Sequence, residues 1–172
     1  MQSKGRGIFL LRVILGYGFL FAGLDKALDL AGSGKAFSAA GFLKFATNGT
    51  WVSVSDPKAI VNPTHAFWVG LAGNAGLMSA INTLVVFGEI AIGVALILGL
   101  ATRFAGVMAA IMMALFYVAN WSFANGLVNE QLMYGVVAAF LAYVGAGAYA
   151  LDTVIERSAI TTRIPAVRYV LG

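Results

Sequence analysis

Ile81-Asn82-Thr83-Leu84-Val85-Val86-Phe87-Gly88-Glu89-Ile90-Ala91-Ile92-Gly93-Val94-Ala95-Leu96-Ile97-Leu98-Gly99-Leu100 is apolar almost throughout and carries a single charge, Glu89. As a helix it covers about 30 Å, the thickness of a bilayer's hydrocarbon core. A carboxylate near its centre costs roughly a few kcal/mol unless it is paired, protonated or wetted. The run therefore reads as a membrane span, and Glu89 as the residue that most needs a reason to be there.

The rest of the chain agrees. Of its 172 residues, 60% are hydrophobic and only 10% are charged, against about 25% charged in a soluble domain. The 21 glycines suit helices that approach closely in lipid. Further spans are expected at about 8–28, 103–120 and 131–151. The fold class is therefore all-α: an integral membrane four-helix bundle forming one domain over 1–172. Between the first two spans lies a long external connection, 29–80. Its aromatics Phe37, Phe42, Phe45 and Trp51 suggest that it folds back on the bundle, and Thr64–Ala80, after Asn62-Pro63, reads as an interfacial helix capped by Thr64. Residues 152–172 form a basic tail.

The first span follows Lys4 and Arg6, and its apolar stretch is longer than that of a secretory leader. Lys4, Arg6, Arg103, Arg157, Arg163 and Arg168 fall on one side of the spans. Lys35, Lys44 and Lys58 fall in the long loop, and the short loop Trp121–Asn129 has no basic residue. Short-loop bias places both termini in the cytoplasm of a multi-pass protein of the cell membrane. The net charge of +4 is scattered rather than clustered, which argues against a nucleic-acid partner. The Asn48-Gly49-Thr50 sequon is a glycosylation acceptor only in a host that modifies it.

Cysteine is absent and His65 is the only histidine. Disulfide chemistry, cysteine-ligated clusters and covalent haem are thereby excluded, and no metal site is expected from this chain. Any redox role must use an organic partner such as a quinone, or another subunit.

Several polar residues have two readings. Arg12, about four residues inside the first span, either snorkels to headgroups or pairs with Glu89 across roughly 10 Å of depth. Glu89 is either helix–helix glue or a proton acceptor suited to quinone reduction. Asp25 and Lys26 are either interfacial anchors or the edge of an outer pocket. In that pocket Lys26, Lys44 and His65, with Glu130 nearby, would hold a small anion. Trp68, Trp121 and Tyr134 belong either to an aromatic belt or to a quinone-facing surface.

The stretches Phe19-Leu20-Phe21-Ala22-Gly23-Leu24-Asp25-Lys26, Gly41-Phe42-Leu43-Lys44-Phe45 and Gly88-Glu89-Ile90-Ala91-Ile92-Gly93 resemble the DoxX/DoxD membrane proteins. So do Gly99-Leu100-Ala101-Thr102-Arg103 and Gly145-Ala146-Gly147-Ala148-Tyr149-Ala150-Leu151-Asp152. Order and spacing carry the likeness over about residues 8–155, and the long first loop favours the DoxD branch. The resemblance implies a four-helix bundle and, in that branch, a subunit that oxidises thiosulfate to tetrathionate with quinone as acceptor. Other relatives imply an accessory subunit of a larger membrane oxidoreductase. Its partners would then be the lipid bilayer and another membrane subunit or a second copy.

Overall fold

The computed structural model describes residues 2–45, 62–121, 127–156 and 170–172, and these are all helix, turn or irregular. The sequon, Trp51, Lys58 and the tail arginines lie outside the described residues. The helices are α1 (Gln2–Leu28), α2 (Ala39–Phe45), α3 (His65–Ala72), α4 (Ala75–Leu98), α5 (Thr102–Ala119), α6 (Glu130–Val144) and α7 (Leu151–Glu156). Three of them, α1, α4 and α5, are long and apolar enough to cross a membrane, and α6 is a shorter apolar helix.

Local chemistry sets the boundaries. The Asn74 side chain accepts from the Leu77 amide at 3.1 Å and starts α4, which Gly99 ends at φ 65°. The expected helix over 64–80 is therefore two pieces: α3 stops at Gly73, and residues from Ala75 onward belong to the spanning helix. Asn129 starts α6 in the same way, accepting from Leu132 at 3.0 Å. α1 gives way at Asp29, φ 52°, whose carboxylate takes the Ser33 hydroxyl and the Ser33 and Gly34 amides. Those donors, the Ser33 hydroxyl foremost, hold the Asp29 carboxyl below its ordinary range.

The fourth span, expected to reach Leu151, stops at Val144. Gly145 and Gly147 have φ of 84° and 70°, and Tyr149 has 54°. Positive φ at alternate positions cannot continue a right-handed helix, so residues 145–150 form an irregular link to α7.

α1 runs antiparallel to α4, with Gly23 against Ile90, Gly16 against Gly93 and Ile97, and Gly93 against Leu20. α5 and α6 pair likewise through Gly106 against Ala138 and Ala142. Small residues let backbones touch where no hydrophobic effect drives helices together. The two pairs share a core of Leu15, Phe19, Ile92, Leu96, Ala109, Met113 and Leu141. Large apolar side chains also point outward at helical spacing, such as Leu10, Ile14, Tyr17 and Phe21 on α1. A contiguous exposed surface of that kind suits lipid, not water.

α4 runs on past the end of α1, carrying Met78 into a second cluster with Ala39, Leu43 and Ala72 of α2 and α3. Two asparagines fasten this roof. Asn82 on α4 accepts from the Ala39 amide at 2.8 Å. Asn62, 2% exposed, donates to the carbonyls of Val118, Ala119 and Trp121 at 3.0–3.2 Å and accepts from the Thr64 amide and hydroxyl. It thus satisfies the carbonyls that the end of α5 leaves open. Asn62→Asp keeps the acceptor but turns the donor into an anion facing carbonyls. It is expected to lose about 1–3 kcal/mol, and more than Asn62→Ser, by thermal unfolding in detergent; equal melting temperatures for the two variants would refute this role.

Candidate functional site

Glu89 is 3% exposed and faces α1. Lys26 Nζ donates to Glu89 Oε2 at 2.8 Å and Oε1 at 3.0 Å, and to the Ala22 carbonyl at 3.3 Å. The Phe37 ring, centroid 5.6 Å from that nitrogen, lies over the pair. The ammonium therefore has its donors engaged and an aromatic face above it, an arrangement that lowers the cost of both charges.

Arg12 is not the partner of Glu89, nor does it snorkel. It is fully buried, with Nη1 donating to Ala146 O at 2.7 Å and Nη2 to Tyr149 O at 3.0 Å and, weakly, to Ala148 O at 3.5 Å. The irregular link 145–150 turns its carbonyls inward, and Arg12 collects them. Asp152, also fully buried, accepts from the amides of Ala101 and Thr102 at 2.6 and 2.8 Å and from Gly172 at 3.0 Å. A carboxylate there caps α5, whose own N-cap, Ala101, has no side chain to do so. Arg12 and Asp152 tie together α1, the α4–α5 turn, the 145–150 link, α7 and residues 170–172.

The remaining expected residues are dispersed. Asp25 accepts from the Ala31 amide at 2.8 Å and closes the turn after α1. Lys44 is exposed at the end of α2, and His65 begins α3. Both stand on the roof, whereas Lys26 is held beneath it on Glu89. Glu130 is exposed and accepts from Gln131 at 3.0 Å.

Between α4 and α5 the bundle opens into a groove of about 870 Å³. α5 lines it with Phe104, Met108 and Leu115, α4 with Leu84, Gly88 and Ala91, and the roof with Phe42 and Trp68. The one hydroxyl on its wall among the described residues, Thr83, is turned to the Ser79 carbonyl at 3.0 Å. Among the described residues no charged side chain lines it, so it suits an aliphatic or isoprenoid chain entering sideways. Of the three aromatics expected to face a quinone, Trp68 lines the groove. Trp121 stacks on Tyr117 at 6.5 Å, and Tyr134 is half exposed on α6.

Sequence reasoning missed Asp152, Asn62, Asn82 and Phe37. The first three carried a readable signal, a short polar side chain beside a helix end or inside an apolar run. Phe37 carried none.

No match was found among curated proteins or among solved structures. The DoxX family model matches residues 7–121, from within the first two turns of α1 through the end of α5, and so covers both the Lys26–Glu89 pair and the groove. With that span matched, the chain belongs to the DoxX family.

Proposed function

We propose that this chain is a membrane subunit of a quinone-linked oxidoreductase assembly and that its own part is to hold the quinone. The observation that carries this is the laterally open, uncharged groove between α4 and α5, roofed by Phe42 and Trp68. A site of this size and lining accepts the isoprenoid tail of a quinone arriving from the bilayer. Glu89, turned to Lys26 on the opposite side of α4, serves the bundle rather than the quinone in this reading.

The donor, by the DoxD resemblance, is thiosulfate. Two thiosulfate ions give up two electrons as the central S–S bond of tetrathionate forms, and the quinone takes those electrons with two protons to become quinol. In this reading Lys44 and His65, both on the roof, are the residues that would receive the anion, while Lys26 is held on Glu89. We assign the protein to the cell membrane with the Arg12 end of the bundle cytoplasmic, because Lys4, Arg6 and Arg103 lie there. The roof then faces outward, toward the thiosulfate.

A variant keeping Trp68 as its sole tryptophan (Trp51→Phe, Trp121→Phe) tests the quinone site in nanodiscs. Decylubiquinone is expected to quench Trp68 fluorescence saturably. Ala91→Phe, which fills the groove from an exposed position on α4, is expected to weaken that binding at least about tenfold, or ~1.4 kcal/mol, without changing the melting temperature. Absence of saturable quenching in the wild-type groove would end this reading. Thiosulfate-dependent quinone reduction, assayed with and without co-purifying subunits, then decides whether this chain is sufficient for turnover.

A further inference from the structure

The groove between α4 and α5 has two unlike halves. It follows α4 from Ile81 to Ala95, about 21 Å at the rise of a helix. Midway, a Cβ on Gly88 would stand 2.8 Å from Met112 Cε, so the Met112 side chain reaches across and its methyl lies against α4. Above this waist the wall is aromatic. Phe42 and Phe116 meet at 5.7 Å between ring centroids, and Trp68 stands on the same wall. Below it Ala91, Ala95 and Ala105 leave a smooth channel. Phe104 is the one ring at that lower end among the described residues, and it is 55% exposed.

We propose that the quinone binds one way round, with its ring in the aromatic half under the roof and its tail past Met112 along the alanines. This rests on the quinone reading of the groove and adds a fixed direction to it. A quinone ring is flat and electron-poor, and it stacks on the electron-rich faces of indole and phenyl rings. An isoprenoid tail is flexible and aliphatic and needs only width. Among the described residues the wall's side-chain donors are already used: Trp68 Nε1 donates to Thr64 Oγ1 at 2.8 Å, and Thr83 to the Ser79 carbonyl at 3.0 Å. Ring faces therefore recognise the quinone. The Thr64 bond fixes the indole and Phe116 braces Phe42, so the upper half is organised before the ligand arrives. That end also carries Lys44 and His65, which puts the ring at the end of the groove nearer the proposed electron donor.

Two single-tryptophan proteins in nanodiscs test the direction. One keeps Trp68 alone; the other carries Phe104→Trp with Trp51→Phe, Trp68→Phe and Trp121→Phe, a reporter roughly 12 Å below Met112 along α5. In decylubiquinone only the ring quenches indole, so each reporter reads where the ring lies. Saturable quenching is expected to be several times deeper at Trp68 than at the lower reporter. Phe42→Leu in the Trp68 protein is expected to weaken binding about three- to tenfold, and Phe104→Leu to leave it unchanged. Phe116→Leu repeats the ring-side measurement if the melting temperature shows that Phe42→Leu loosens the roof. Equal quenching at the two reporters, or deeper quenching at the lower one, overturns the direction while leaving the quinone in the groove. So does a loss of affinity in Phe104→Leu with none in Phe42→Leu. Saturable quenching at neither reporter overturns the quinone reading itself, and the direction with it.

Discussion

Lys26→Met is expected to lower the stability of the purified protein by about 3–5 kcal/mol, the usual cost of stranding one member of a buried ion pair. Glu89→Leu is expected to cost less, roughly 1–2 kcal/mol. The asymmetry follows from exposure: Glu89 is 4% exposed in its side chain and has nowhere to go, whereas Lys26 is 24% exposed, two residues from the end of α1. Freed of its partner, the lysine extends toward water; freed of its lysine, the carboxylate stays in the bundle. The double variant, Lys26→Met with Glu89→Leu, removes both charges and is expected to return close to wild type. Thermal unfolding in detergent reads all three. Two equal single-variant losses, or a double variant as damaged as Lys26→Met, would show that the pair is not what holds these residues. The Ala91→Phe experiment on the groove is independent of this one, since Glu89 and Lys26 do not line it.

The sequence showed that Glu89 needs a partner but not which one. Counting depth from the span ends made Arg12 a candidate, because such counting assumes that every span is centred alike. α1 and α4 are staggered instead. Gly23 lies against Ile90, so α4 overshoots the end of α1 by several turns. Helical side chains lean toward their own N-terminus, which carries Lys26 back one turn to Glu89 and to the Ala22 carbonyl. The register comes from where glycines allow contact, and Gly16, Gly23 and Gly93 were visible in the sequence only as small residues, without their pairing.

The break at Gly145 has a similar origin. An apolar run through Leu151 reads as one span by hydropathy, and the Gly-x-Gly within it is a weak signal, since glycine is frequent in membrane helices. What decides the break is tertiary: a buried guanidinium offering several donors, with carbonyls of 146–149 that a continued helix would have consumed. The fold class and three of the spans were legible because burial in lipid writes itself into every residue. The groove was not, because it is a property of how far α4 stands from α5, and its lining residues are the same apolar types that face lipid elsewhere.

Gly93→Leu is expected to abolish the native bundle. A Cβ at Gly93 would stand 2.5 Å from the Leu20 amide nitrogen and 2.7 Å from its Cα. Those are backbone atoms of a helix, so no rotamer change relieves the contact, and α1 and α4 must separate. Separation takes apart Leu15 and Phe19 from Ile92 and Leu96, the centre of the shared core, and pulls Lys26 from Glu89. Overpacking usually costs about 1–3 kcal/mol where side chains can shift; here the cost exceeds that range, and already for Gly93→Ala it is expected to reach it. Gly18 on the same α1 helix supplies the control, because nothing lies within 4 Å of a Cβ added there. Gly18→Ala is therefore expected to be neutral or to gain up to ~1 kcal/mol from helix propensity alone. Size-exclusion profile and melting temperature in one detergent separate the cases. If Gly93→Leu gave a monodisperse protein melting with the wild type, the close α1–α4 contact, and with it the register that brings Lys26 to Glu89, would have to be abandoned.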